Sequence, residues 1–504
     1  MLFNSLGFLL FFPLICLIYW GTRFILGGGK SLYIRNLTLL LASYWFYMCW
    51  QPLYALLLLF STSVTYAASL LISGDRKRKR LWLTAAIVLN LAILFFYKYY
   101  GFAADSITAI LTACGLRIDI PGLDVLLPVG ISFYIFQALG YSIDVYRGSI
   151  RAERDFFTYA LFVSFFPQLV AGPIERSTNL LPQFKQDRPF NYRFAISGFK
   201  LMLWGYFLKL CLADRAALYA DKVFNHLTEH DGYSTLIASL MFTLQIYGDF
   251  AGYTFVAIGC ARILNFSLQD NFRRPYFAIS VTDFWRRWHI SLSSWLRDYV
   301  YFPLGGSRTT KSKIYRNLLV TFAVSGLWHG ANWTFVLWGM LHGIALCVER
   351  ALGINKSQPT AWGRVVRIII TLIIVNIAWL LFRANTLPDA LIALRQIFTP
   401  SDFTLAAGTS TLYIVAIVAI IIFIKEWIEE FRPQWLTTQT IPTQQTTLTQ
   451  QATLTQQATL TSQPTPLKSR LFNLWTDYAW PILLIVLISI LGYFAGGQFI
   501  YFQF

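Results

Sequence analysis

The sequence predicts an all-α, polytopic membrane protein, and three observations carry that prediction. Of the 504 residues, 56% are hydrophobic and only 13% are charged, whereas a soluble domain carries about 25% charge and 45–50% apolar residues. Too few charges remain to coat the roughly three watery domains that this length would otherwise suggest. The apolar residues also gather into runs approaching the roughly 20 residues of a bilayer crossing. The cations, 41 Lys+Arg against 24 Asp+Glu for a net charge of +17, fall in short stretches between those runs. There they bias topology rather than bind nucleic acid. Disorder, collagen and disulfide scaffolds are excluded on the same composition. Lipid is the expected surrounding, and no nucleic-acid partner is expected.

In chain order, the candidate spans are residues 6–21, 37–50, 52–72, 81–102, 125–145, 194–213, 234–264, 318–328, 333–347, 366–381, 412–424 and 478–494. That makes eleven or twelve, several of them short enough to be tilted, paired or re-entrant. Residues 156–175 are apolar but broken by Pro167, Gly172 and Pro173, which reads as a re-entrant segment whose backbone is satisfied by surrounding protein. No Lys or Arg precedes Arg23 and no small-residue cleavage site follows the first run, so that run is expected to stay as an uncleaved span with its N-terminus outside. Burying the cations from Arg76 to Arg80 at mid-bilayer would cost about 2.5–3.5 kcal/mol each, so this loop is assigned to the cytoplasm. The same count of crossings puts Arg147, Arg151, Arg154 and the basic segment 273–316 on that side. From Gln444 the hexapeptides QQTTLT, QQATLT and QQATLT follow one another, a low-complexity linker with no helical stripe. The chain is accordingly divided into a membrane body (1–430), a linker (431–470) and a C-terminal transmembrane segment (471–504).

The residues that can carry chemistry are few. Nucleophile-elbow, phosphate-loop, dinucleotide and zinc-protease motifs are absent from the sequence. The six cysteines have no metal-ligand spacing and read as small core hydrophobes. His226 and His230 stand four apart beside Glu229 and Asp231, but Gly232 follows at once and a solvated outer loop is the simpler reading. No metal site is expected. His329 lies in Gly326-Leu327-Trp328-His329-Gly330-Ala331-Asn332 between two apolar runs. An ionisable residue at membrane depth is a functional candidate because leaving it unpaired in hydrocarbon is costly. A structural histidine bonded to a neighbouring carbonyl is the alternative. Asn332 supplies an amide donor nearby. His289 follows Trp285-Arg286-Arg287-Trp288, and Val281, Trp285, Trp288, Leu292, Trp295 and Tyr299 form one helical stripe. One basic, Trp-rich interfacial helix is expected, with His289 at the border of its polar face. Asp249, between Gly248 and Gly252, suggests a broken helix lining a polar cavity, or else a kink that the carboxylate caps. His342 is a packing or helper residue.

On these residues the chain resembles the membrane-bound O-acyltransferase (MBOAT) family, in the bacterial branch of the alginate O-acetylation membrane protein. The resemblance is carried by PVGISFYIFQALGYSIDVYRG (128–148), FFPQLVAGPIE (165–175), residues 248–276, TDFWRRWHISLSSWLRDYVYFPLGG (282–306) and residues 316–343. It covers about residues 2–352 and does not extend to the linker. It implies a ring of tilted helices around a polar tunnel in the bacterial inner membrane. It also implies that His329 is the family's intramembrane histidine and His289 its second motif histidine. The branch usually carries an acid after Gly-Tyr-Ser/Thr, whereas Thr254 is followed here by Phe255, so any role for that carboxylate is absent or passes to Asp249.

The activity implied is acyl transfer from a cytoplasmic thioester, acetyl-CoA being the expected donor and no cofactor being tightly held. The acceptor would be hydroxyls of an extracytoplasmic polysaccharide, reached directly or through an extracytoplasmic acyltransferase partner. Peptidoglycan or a teichoic-acid-type polymer is the alternative acceptor, and a transporter or scaffold of polysaccharide export the alternative class. In this scheme His329 is the general base. His289, Arg286 and Arg287 orient the donor, Asn332 donates to the oxyanion, and Trp328 and Asp249 line the substrate path.

Overall fold

The computed structural model describes the chain except for residues 76, 117, 119, 124, 171, 355, 356, 358, 400–404, 407, 408, 433–477, 496–498 and 501–504. The hexapeptide repeat and most of the expected linker lie outside the described residues. Among the described residues every regular element is helical, as a chain that must satisfy its backbone in lipid requires.

The body opens with α1 (Leu6–Leu26), α2 (Gly28–Met48), α3 (Tyr54–Gly74) and α4 (Lys79–Ala113), the last carrying a π turn at Phe95–Tyr99. Next come α5 (Ile131–Arg147) and three short pieces, α6 (Phe156–Ser164), α7 (Phe166–Leu169) and α8 (Ser177–Phe184). After them stand α9 (Tyr192–Phe224), with a π segment at Phe207–Ala213, and α10 (Gly232–Ile263). The site region holds α11 (Val281–Arg287), α12 (Ile290–Leu296), α13 (Lys311–His329) and α14 (Trp333–Ala351). Last come α15 (Ala361–Arg383), α16 (Leu387–Ile397), α17 (Thr409–Phe431) and α18 (Trp480–Leu491). Among the described residues six helices are long and apolar enough to cross a membrane. The other runs form helices that are largely buried in protein, as α5 is, or that keep apolar side chains exposed, as α18 does. In α5, for example, every residue from Ile131 to Ser142 is buried. The segment 156–175 is broken at Phe165 and buried throughout α7 and most of α6, as a re-entrant stretch must be.

Two expectations about elements are corrected. Residues 232–263 form one unbroken helix of 32 residues, not a helix interrupted around Asp249. The glycines there serve close packing: a Cβ on Gly252 would lie 2.7 Å from the Gly205 carbonyl oxygen, and one on Gly259 would lie 2.5 Å from that of Gly198. Small residues that let backbones touch are the usual means by which helices associate in lipid. Residues 281–299 do not form one interfacial helix. The chain leaves α11 at Trp288, and His289 stands in the left-handed region at φ 43°, ψ 54° before α12 begins.

The basic stretches expected on one face do share an end of the molecule. The Lys79 ammonium lies 4.8 Å above the Tyr146 ring, Tyr66 donates to the Arg154 carbonyl, and Arg147 donates to the Asp298 carbonyl at 3.1 Å.

Candidate active site

His329 closes α13, and the turn Gly330–Asn332 leads directly into α14. The two helices pack backbone to backbone, because a Cβ on Gly339 would sit 2.1 Å from the Phe322 carbonyl oxygen and one on Gly326 2.2 Å from that of Phe335. This contact fixes where the last turn of α13 points. That turn leaves carbonyls without intrahelical partners, and the π turn of α4 supplies donors to them. Lys98 Nζ donates to the Trp328 and His329 carbonyls at 2.8 and 3.0 Å, and Tyr99 donates to that of Leu327 at 2.9 Å.

The His329 ring is 3% exposed and packs edge-on against Trp328, Trp338 and Phe382, with centroids 4.9, 4.8 and 5.4 Å away. The His289 ring is fully buried, and its centroid lies 6.3 Å from that of His329. Trp328 stands beside both, 5.7 Å from His289. The two motif histidines, 40 positions apart in sequence, are thus neighbours in one aromatic chamber. Holding His289 at positive φ costs on the order of 1–3 kcal/mol for a non-glycine residue, and such strain collects at functional sites.

Cavities approach the pair from two directions. One, of about 510 Å³, is lined by Lys98, Asp221, Asn225, Asn332, Arg383 and Asn385. A small space lined by Lys98, Gly130, Phe133, Trp328 and His329 adjoins it, sharing Lys98 and Leu127. The other, of about 480 Å³, is lined by Arg286, Ser293, Arg297, Thr321, Phe322 and Ser325 among others. Ser325 is one turn before His329 on α13, a separation of about 6 Å along the axis.

The remaining expected site residues divide between the cavities and the protein interior. Arg286 lines the second cavity. Arg287 instead pairs with Asp283 and with Glu430 on α17, both at 3.0 Å. Burial works against its charge, but those carboxylates hold its guanidinium above the usual value. It is therefore a tether between α11 and α17. Asn332 is committed at both ends: its oxygen caps α14 at the Thr334 N–H, and its amide donates to the Asn385 carbonyl at 3.0 Å. Asp249 sits with Lys209 Nζ at 2.6 Å and accepts from the Ile500 N–H at 2.6 Å. Lys209 also pairs with Asp214 at 2.7 Å. The Asp249 carboxylate therefore belongs to a buried charge cluster between α9 and α10, not to an open cavity. His342 is fully buried against Phe284, Trp285 and Trp338. His226 and Glu229 are exposed, 3.6 Å apart, as a solvated loop would have them. Among the described residues no three His, Cys, Asp or Glu side chains gather as metal ligands.

Two neighbours of the pair were not anticipated from sequence. Lys98 was a visible signal, the one cation inside the apolar run 81–102. Asn271, 3.1 Å from His289 Nδ1, carries no local signal.

The histidine pair is buried in an all-helical body that carries several apolar helices long enough to cross a membrane. Residues 147–387 match the family model of MBOAT, the membrane-bound O-acyltransferase family. The chain is 39% identical over 446 residues to the probable alginate O-acetylase AlgI of Azotobacter vinelandii, covering 87% of each protein. It is 40% identical over 398 residues to that of Pseudomonas aeruginosa, covering 77% of this chain and 73% of the relative. It is also 37% identical over 396 residues to the peptidoglycan O-acetyltransferase of Helicobacter pylori, covering 73% and 74%. The chain belongs to the membrane-bound O-acyltransferase family: it is a multi-pass membrane enzyme that transfers acyl groups to oxygen.

Proposed function

We propose that this enzyme moves an acetyl group from a cytoplasmic thioester of the acetyl-CoA class to hydroxyls of a polysaccharide outside the bacterial inner membrane. An extracytoplasmic acyltransferase partner would complete the delivery where the polymer cannot reach the chamber. The observation that carries this reading is the position of His329: it lines the small space that joins the larger polar cavity, one helical turn from a residue of the second, cation-lined cavity.

In the reaction, the hydroxyl oxygen attacks the thioester carbonyl while His329 takes the hydroxyl proton. The tetrahedral intermediate collapses, the carbon–sulfur bond breaks, and the proton passes to the leaving thiolate. A positioned base is worth about 10²–10⁴-fold, and holding both reactants in one chamber removes up to about 7–11 kcal/mol of the barrier. Arg286 and Arg297 suit the phosphate-rich end of such a donor. Asn332, being a helix cap, shapes the acceptor side, and an oxyanion donor is not assigned to it. Peptidoglycan is the second acceptor reading, favoured by the likeness to the Helicobacter pylori enzyme.

The test is His329→Ala in cells that carry the polymer. O-acetyl content of surface glycan is expected to fall at least 100-fold with protein level and polymer export unchanged. Full O-acetylation in the variant would overturn the reading.

A further inference from the structure

The hydrogen bonds around His289 determine which of its nitrogens carries the proton. The Ser291 N–H donates to Asn271 Oδ1 at 3.2 Å. A backbone N–H cannot accept, so the carboxamide atom facing it is the oxygen. The Ser291 hydroxyl accepts from the Ile174 N–H at 3.0 Å and donates to the same oxygen at 2.9 Å. Turning the carboxamide over would set its NH₂ group against these donors. His289 Nδ1 lies 3.1 Å from that oxygen and must therefore be the protonated nitrogen. The backbone holds the arrangement from both sides, with Ile290 N–H donating to the Asn271 carbonyl at 3.0 Å and Arg273 N–H to that of Arg287 at 2.9 Å. Asn271 is fully buried.

We propose that Asn271 is a positioning residue that locks His289 as its Nδ1–H tautomer, leaving Nε2 as an unprotonated acceptor in the chamber beside His329. Nε2 is buried and has no hydrogen-bond partner among the described residues, which leaves its lone pair without a donor. The groups that face the ring are Phe133 from α5, Phe250 from α10, and Trp328 and His329 from α13; of these only His329 titrates. The proposal rests on reading the histidine pair as the reaction centre, and it gives the two histidines different tasks.

The whole chain holds five histidines, so full-length protein labelled with ¹⁵N-histidine and reconstituted in lipid gives a countable solid-state NMR spectrum. His289→Gln identifies the signals of residue 289. In the wild type a protonated Nδ1 and a bare Nε2 are expected. In Asn271→Ala the single tautomer is expected to give way to a mixture, and O-acetylation to fall roughly 10- to 100-fold, the loss that follows removal of the partner orienting a metal-bound histidine. Asn271→Asp keeps the acceptor and adds an anion. It should retain the tautomer, restore most of the activity, and move the acidic limb of the pH profile upward, because the carboxylate favours imidazolium. A wild-type His289 protonated at Nε2 would overturn the proposal, and so would Asn271→Asp with the alanine variant's activity and an unmoved pH profile. Should Asn271→Ala not fold, the wild-type spectrum and the aspartate variant still decide. The spectrum needs no substrate, so its failure is distinct from that of the acyl-transfer reading, which falls with a fully active His329→Ala.

Discussion

At the scale of single residues, burial in a low-dielectric chamber makes each polar group expensive unless it is held. His329 stood out in the sequence as a titratable ring between two apolar runs, and His289 as the ring at the border of a basic, Trp-rich stripe. Lys98 satisfied the same criterion and shows what it does for the site: its ammonium ties two carbonyls at the end of α13. Lys98→Met should strip those bonds and leave buried carbonyls unsatisfied, a cost of about 1–3 kcal/mol. Thermal unfolding of the detergent-solubilised protein should register that loss, with Lys98→Arg recovering part of it. Asn271 was invisible because its role depends on two chain segments meeting, 18 residues apart, around a left-handed turn. No spacing rule describes that. Asp249 was visible for the right reason, an intramembrane carboxylate, but its partner Lys209 was 40 positions away and not inferable.

At the scale of elements, the hydrophobic period located most helices and failed at their breaks. The stripe from Val281 to Tyr299 runs on in register through Trp288, because Trp285 and Trp295 are buried on either side of the turn. Only the backbone at His289 shows that the helix has stopped. The opposite error befell α10. Glycines near a carboxylate resemble a break, yet they are the points where α9 lies against the helix, within the reach of a single methyl group. Gly252→Ala should therefore act as an overpacking change and cost about 1–3 kcal/mol. A lowered melting temperature is the expected reading, while Gly27→Ala, whose Cβ would meet nothing within 4 Å, reports the cost of backbone strain alone. The glycines of the α13–α14 hairpin obey the same logic and explain why the Gly-Leu-Trp-His-Gly string is glycine-bounded.

At the scale of the whole molecule, composition alone settled that the chain lives in a membrane, and the shared end of the basic stretches agrees with the parity of the crossings. Six described helices are long and apolar enough to cross a membrane, and other apolar runs fold as shorter helices such as Ile131–Arg147 and Trp480–Leu491. The expected linker carries neither charge nor aromatic residues in its repeats. Closure entropy changes by only about 0.6 kcal/mol per doubling of loop length. Deleting one or two hexapeptides should accordingly leave surface O-acetylation within about twofold of the full chain.

The residues beyond the linker are less dispensable. The segment after α18 returns to α9 and α10: Tyr493 N–H reaches the Leu210 carbonyl, Arg215 reaches that of Leu491, and Ile500 N–H meets the Asp249 carboxylate. An anion laid down halfway through synthesis thus waits for a backbone group made 251 residues later. Its arrival completes the hydrogen bonding of a buried carboxylate, and a polypeptide cut short before it is expected to leave that carboxylate one donor short.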